Sequence, residues 1–266
     1  MAKIFITGGN GQLGRACKRF FSKNHQVLST DIQEVDITDS DSILKAIGDF
    51  KPDYIVNCAA YTAVDRAESE PELAYRLNVV GPSKLAAAAV LFKARLIHIS
   101  TDYVFDGNRQ YPFPWTEDDE ANPQTVYGRT KLDGERVVLN TFGCDGIVLR
   151  AAWLYSPTGH NFLKTMLRLA TTSTPDTIRK IVNDQYGCPT SASELAKQIL
   201  FIIESPNYLD RGVYHAVCSG STSWYHFATR FLEKNWLQRI CMLWLIGRQL
   251  SKTMLLSMDR QFIRMY

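Results

Sequence analysis

The sequence predicts an α/β protein: a doubly wound parallel sheet with a small C-terminal substrate-binding part. Three observations predict it. Short β-branched apolar runs alternate with longer amphipathic segments through residue 150. The runs are continuously apolar rather than alternating, as in strands covered on both faces. The first run leads into glycines that open a helix, the start of a strand–helix–strand unit.

The elements follow in order. Expected strands are KIFIT (3–7), QVLST (26–30), DYIVN (53–57), RLIHIS (95–100) and GIVLR (146–150). Expected helices run over roughly 11–23, 40–49, 71–91 and 123–142, with Ser40 and Pro71 as start signals and Pro52 after the second. Such alternation requires right-handed crossovers and helices on both faces. Past residue 150 the pattern loosens. AAWLYSPTGHNFLKTMLRLA reads as a loop and a helix, and TIRKIVNDQYGCPTSASELAKQIL as a short strand, a turn and a helix. GVYHAVCSG (212–220) reads as a further strand. The expected organisation is a dinucleotide-binding domain over 1–150, a substrate-binding region over 151–234 packed on it, and an atypical tail over 235–266.

The bulk numbers narrow the function classes. With 266 residues, 45% hydrophobic and 21% charged, the chain has the profile of a globular protein. No apolar run reaches the roughly 18 residues of a membrane span, and MAKIFITGGNG does not read as a signal peptide. The six cysteines include no C-x-x-C pair, so buried free thiols and a cytoplasmic location are expected. Of the net charge of +3, residues 235–266 carry +4, leaving the rest at −1. That gives no electrostatic case for nucleic acid.

The first strand runs into TGGNGQLG, with glycines at 8, 9, 11 and 14. Missing side chains there let backbone amides approach a pyrophosphate, which the helix N-terminus also favours. Its position after the first strand and before a helix makes this a Rossmann-like dinucleotide site. The second strand ends in Asp31, 17 residues past Gly14. A carboxylate there accepts ribose hydroxyls and repels a 2′-phosphate, and no arginine follows closely, which leans toward NADH. Ala59 and Ala60, after the third strand, leave room for a flat ligand, or pack against a helix.

The fourth strand ends HISTDYVFDG, placing Thr101 and Asp102 just past its carboxyl end, where open sheets bind ligands. Tyr127 and Lys131 stand one helical turn apart in VYGRTKLDGE. A hydroxyl, a phenol and an ammonium together suit protonation of a carbonyl oxygen as hydride arrives at its carbon. The ammonium is expected to lower the phenol's pKa toward working pH. Alone, the Tyr–Lys spacing is common on any helix surface. The glycine loop and Thr101 are what make it a site.

The chain resembles the extended short-chain dehydrogenase/reductases, and among them the dTDP-4-dehydrorhamnose reductase family. The matching stretches are TGGNGQLG (7–14), NCAAYTAVDRAE (57–68), STDYVFDG (100–107), YGRTKLDGE (127–135), RAAWLY (150–155), MLRLA (166–170) and NDQYGCPT (183–190). STDYVFDG together with NDQYGCPT is far more specific than the glycine loop. The resemblance implies transfer of hydride from NADH or NADPH to the 4-keto group of dTDP-4-dehydro-L-rhamnose. It implies Thr101, Tyr127 and Lys131 as the catalytic trio. Around the dinucleotide it implies Gly8, Asn10, Gly11, Gln12, Leu13, Gly14, Asp31, Asp36, Ile37, Ala59, Ala60 and Tyr61, with Tyr127 and Lys131. Thr101, Asp102 and Trp153 would touch the dTDP-sugar. By its residues alone, Trp153 in an apolar run reads as core packing. Asn183, Asp184 and Gln185 match a family motif but take no physical role from the sequence.

Departures from the family pattern matter too. Related nucleotide-sugar dehydratases carry Asp-Glu after the threonine. Here Asp102 is followed by Tyr103, which favours plain reduction. Some family members bind magnesium through glutamates at a dimer contact. Arg15 stands at one such position, so a homodimer stays open and no metal is expected. The tail holds four of the six methionines and one acidic residue, Asp259. The expected explanation is a shifted reading frame near residue 235, with a basic amphipathic helix as the alternative. Two further functions remain open: a reductase or epimerase of another nucleotide sugar, and a non-catalytic dinucleotide-binding regulatory subunit.

Overall fold

The computed structural model describes residues 1–172 and 180–245, without the side chains of 235–245. Its strands are β1 (Lys3–Thr7), β2 (Gln26–Ser29), β3 (Tyr54–Asn57), β4 (Arg95–Thr101), β5 (Gly146–Ala151), β6 (Leu154–Tyr155), β7 (Tyr186–Gly187), β8 (Thr190–Ser191), β9 (Gly212–His215) and β10 (Thr222–Ser223). Its helices are α1 (Gln12–Phe21), α2 (Ser40–Ile47), α3 (Val64–Ala67), α4 (Pro71–Tyr75), α5 (Gly81–Phe92), α6 (Val126–Asn140), α7 (Phe162–Thr172), α8 (Ala192–Glu204) and α9 (Trp224–Leu245). A π-helical turn (Arg76–Val80) joins α4 to α5, and a 3₁₀ turn (Asp102–Val104) follows β4.

The five expected strands form, and β9 joins them in one sheet ordered β2-β1-β3-β4-β5-β9. Every pairing in it is parallel, as the continuously apolar runs require. The strand order reverses between β1 and β3, the switch point where open α/β sheets take their ligands. One core lies between the sheet and α1 with α8, built on Ile4, Ile6, Phe21 and Ile199. The other lies toward α2, α5 and α6, built on Phe5, Ile43, Leu85 and Val138. Each fully buried side chain of this size stabilises the fold by about 1.5–3 kcal/mol.

The chain divides differently from the expected cut at residue 150. One compact unit comprises 1–159 and 190–218, and the other begins with 160–189 and resumes at 219. The sheet unit reclaims 190–218 because β9 pairs with β5 and α8 covers the first core. The second unit contains α7, α9 and an antiparallel pairing of β7 with β10. There the Ser223 hydroxyl donates to Asn183 Oδ1 at 2.6 Å and accepts the His226 amide, tying the turn before β7 to the start of α9. This gives Asn183 a physical role that its sequence context did not.

The helix α2 begins at Ser40 as expected, capped by Asp39, whose carboxylate accepts the Asp41 amide. One helix differs from expectation. The single helix expected over 71–91 is three pieces. Pro82 has no N–H for the carbonyl of Asn78, so the ladder widens and the Gly81 amide reaches back to Arg76. Of the short strand expected near 177–182, residues 177–179 lie outside the described residues and 180–182 form no strand; of the tail expected to diverge near residue 235, 235–245 continue α9 and 246–266 lie outside the described residues. Among the described residues no helix is long and apolar enough to cross a membrane.

Candidate functional site

The loop after β1 is shaped by glycine. Gly8 holds a φ of +64°, and a Cβ added there would lie 2.7 Å from the Ala59 nitrogen past β3. A Cβ at Gly14 would overlap the Gly8 carbonyl oxygen. The N-cap of α1 is Gly11, which has no side chain to occupy the first-turn amides. A pyrophosphate fits such an uncapped helix start. Gln12 and Leu13 open α1, and the Leu13 side chain is buried in the core, so only its backbone is available to a ligand.

Asp31 lies beside this loop and accepts the Asn10 amide at 2.8 Å. Both line a cavity of about 330 Å³ with Glu34 on one side and Arg15, Lys18 and Arg19 of α1 on the other. The cations of this cavity thus come from the helix before Asp31 rather than from the chain after it. Asp36 is turned inward on its own loop, accepting the Thr38 amide and hydroxyl at 2.8 Å each. Ile37 is core, packed against Gly81. Past β3, Ala59 and Ala60 are half-buried. Tyr61 is buried and donates its hydroxyl to Glu70 at 2.5 Å. The side chains of Ile37 and Tyr61 are thus committed to the protein.

Beneath these loops a buried polar row crosses three strands. The Thr7 hydroxyl donates to Asn57 Oδ1 at 2.7 Å, and Asn57 Nδ2 meets His98 Nδ1 at 2.9 Å. Burial, and then the charge of Lys131, hold the His98 imidazole well below its ordinary pKa.

The chemical groups stand at the end of β4 and on α6. Thr125 caps α6 by accepting the Gly128 amide at 3.0 Å, and Glu68 accepts the Val126 amide at 2.8 Å. Gly128 and Gly134 let α6 lie directly on backbone: a Cβ at either would overlap a carbonyl oxygen, of Tyr103 or of Asn78. Tyr127 and Lys131 are buried, at 9% and 2% exposure. This corrects the picture of a helix surface. The expected lowering of the phenol is not what the surroundings produce. Burial raises the Tyr127 pKa, and a hydrogen bond with the Thr101 hydroxyl offsets only part of that. Burial pushes Lys131 down to about 8, against the pull of Glu135, and its Nζ donates to the Ile99 carbonyl at 2.6 Å. Asp102 accepts from the Thr101 hydroxyl at 3.1 Å, and burial raises its carboxyl to about 6. Trp153 is half-buried with a φ of +48°, its carbonyl accepting the Thr190 amide at 3.3 Å.

Sequence reasoning missed three groups here. Asn78, in the π turn, bonds the Tyr61 backbone in both directions and the Thr130 hydroxyl. Glu135 and Arg150 form a buried ion pair at 2.7 Å, with side chains 3% and 7% exposed. A signal for Glu135 was present: it continues the four-residue spacing of Tyr127 and Lys131 along one helix face.

Comparison with known proteins agrees with this arrangement. The family model for the RmlD substrate binding domain matches residues 2–242. A dTDP-4-dehydrorhamnose reductase of Aggregatibacter actinomycetemcomitans is 40% identical over 90% of this chain and 81% of its own length. A solved dTDP-4-dehydrorhamnose reductase from Clostridium acetobutylicum superimposes with a TM-score of 0.80 at 46% identity, covering 87% of this chain and 79% of that one. One from Bacillus anthracis, solved in complex with NADP, gives 0.81 at 35% identity, covering 88% and 80%. The chain therefore belongs to the RmlD substrate binding domain family, alongside enzymes named dTDP-4-dehydrorhamnose reductase.

Proposed function

We propose that the chain reduces the 4-keto group of dTDP-4-dehydro-L-rhamnose to give dTDP-L-rhamnose. The observation that carries this reading is the buried Tyr127 phenol beside the Thr101 hydroxyl, one turn from Lys131. The activity named for relatives at about 40% identity supports the choice of substrate.

A nicotinamide dinucleotide, when bound, would supply the hydride for the carbonyl carbon. The uncapped amides of α1 would hold its pyrophosphate, and Asp31 would accept a ribose hydroxyl. The Thr101 hydroxyl orients the carbonyl, and Tyr127 delivers the proton to its oxygen. Burial keeps Tyr127 neutral, the form a proton donor needs. The Lys131 ammonium then stabilises the phenolate left behind. Asp102 and Trp153 contact the sugar nucleotide. Asp31 favours NADH, while Arg15, Lys18 and Arg19 give the same cavity a counter-charge for a 2′-phosphate, so both cofactors are accepted. The reaction is placed in the cytoplasm, which the free thiols of Cys17, Cys58, Cys144 and Cys218 support. No step needs a metal, and a homodimer is a separate matter for sedimentation.

The test follows NADH or NADPH oxidation with dTDP-4-dehydrorhamnose, wild type beside Tyr127→Phe. Turnover by wild type and its loss in the variant are expected, with dinucleotide binding retained in both. Dinucleotide binding without turnover by wild type sinks the reading and favours a regulatory subunit. Undiminished turnover in Tyr127→Phe removes the proton donor.

A further inference from the structure

Behind Lys131 lies a charged cluster to which neither the glycine loop nor the proton donor gives a purpose. Glu135 sits one turn beyond Lys131 on α6 and is 2% exposed. Its Oε1 accepts the Ser100 hydroxyl at 2.5 Å and Arg150 Nε at 3.0 Å, and its Oε2 accepts Arg150 Nη2 at 2.7 Å. Ser100 and Arg150 are partners across the β4–β5 ladder. One carboxylate therefore joins the helix carrying Tyr127 and Lys131 to the residue just before Thr101. Two buried charges cost several kcal/mol to desolvate, and a well-packed apolar pair often serves stability as well. A role in the reaction gives the pair a reason to be there.

We propose that Glu135 is a positioning residue for the reduction: it supplies the counter-charge that holds Lys131 as an ammonium. Through Ser100, it also locks the strand end that presents Thr101. This rests on the catalytic reading of Lys131 above.

Among the other groups around Lys131 only Cys58 pulls the same way, and less strongly than Glu135. On α6 itself Tyr127 is a neutral phenol. Past β3 stands the Cys58 thiol, on β4 the neutral His98, and on β5 Arg150, which bonds both oxygens of the same carboxylate. Asp102 after β4 is bonded to Thr101. Arg76 and Lys84, in the π turn and α5, bond Thr38 and Ser40 instead. Asp65, Arg66 and Glu72 of α3 and α4 are exposed.

The test is the pH profile of kcat for Glu135→Gln and Ser100→Ala beside wild type and Lys131→Met. Gln keeps the size of Glu135 and an acceptor for Ser100, and removes only the charge. Its alkaline limb is expected to move about one pH unit toward acid, because an ammonium with no counter-charge loses its proton sooner. Ser100→Ala leaves the ion pair intact. It is expected to keep the wild-type limb while kcat falls roughly three- to tenfold, with the dinucleotide Kd unchanged. A Glu135→Gln profile that superimposes on wild type overturns the counter-charge. Should that variant not fold, full kcat in Ser100→Ala still overturns the clamp. Lys131→Met separates the two readings: if it keeps wild-type turnover and profile, the role of Lys131 itself has failed.

Discussion

Between β1 and α1 the chain makes a site by leaving atoms out; in α6 it makes one by burying them. The glycine loop offers backbone amides and shape, and its charged neighbours Asp31, Arg15 and Arg19 line an open cavity. On α6, Tyr127, Lys131 and Glu135 are each 9% exposed or less, and the protonation states of Tyr127 and Lys131 depend on groups from other elements. The first kind of site should respond to substitution through affinity, the second through rate and pH.

The sharpest way to break that contrast is Tyr127→Phe. It should lower kcat by about 10²–10⁴-fold, the usual worth of a placed proton donor. The dinucleotide Kd, read by NADH fluorescence, should stay within a factor of about two of wild type, which is under half a kcal/mol. A matching loss of cofactor affinity would mean the two regions are not separable. Gly14→Ala should do the reverse. Its methyl meets the Gly8 carbonyl, so overpacking of about 1–3 kcal/mol should lower Tm. Dinucleotide affinity should drop about tenfold, with saturated kcat nearly kept.

The third prediction turns on Lys131, whose pKa is pushed down to about 8. Activity should fall as pH rises through about 8 and the ammonium is lost. Stability should move the other way. An unfolded lysine titrates near pH 10.4, so between about 8 and 10.4 the unfolded chain binds more protons and this group favours folding as pH rises. Rate and urea midpoint measured over that window should therefore diverge at this group, and should converge in Lys131→Met. The smallest effect belongs to Asp31→Asn. It should shift the ratio of kcat/KM for NADPH over NADH upward by about three- to tenfold, the worth of one exposed charge. An unchanged ratio would mean that Arg15, Lys18 and Arg19 set the preference alone.

How much of this was legible follows the same contrast. The strands and the glycine loop are local in sequence: apolar runs and missing side chains can be read directly, and the sheet formed as expected. Lys131 was named, but its burial was not, because the helix VYGRTKLDGE shows charges on every side and its covering comes from β4, β5 and the π turn. Arg150 looked like a residue of an apolar strand, and only the ladder sets it opposite Ser100. The return of 190–218 to the sheet unit was hidden for a similar reason. The strand that completes the sheet lies about sixty residues past β5, and nothing local to GVYH says which neighbour it pairs with.

Gly128 and Gly134 touch no reacting group, yet they set the clearance between α6 and the backbone of Tyr103 and Asn78. There is no soft layer in that joint to absorb an extra carbon. A methyl at either place would lift the whole helix, moving phenol and ammonium together as one rigid piece. In a survey of every possible replacement along the chain, these two positions should therefore be nearly as intolerant as Tyr127, although neither has a side chain to offer the chemistry. Intolerance there would record a gauge setting rather than a contact.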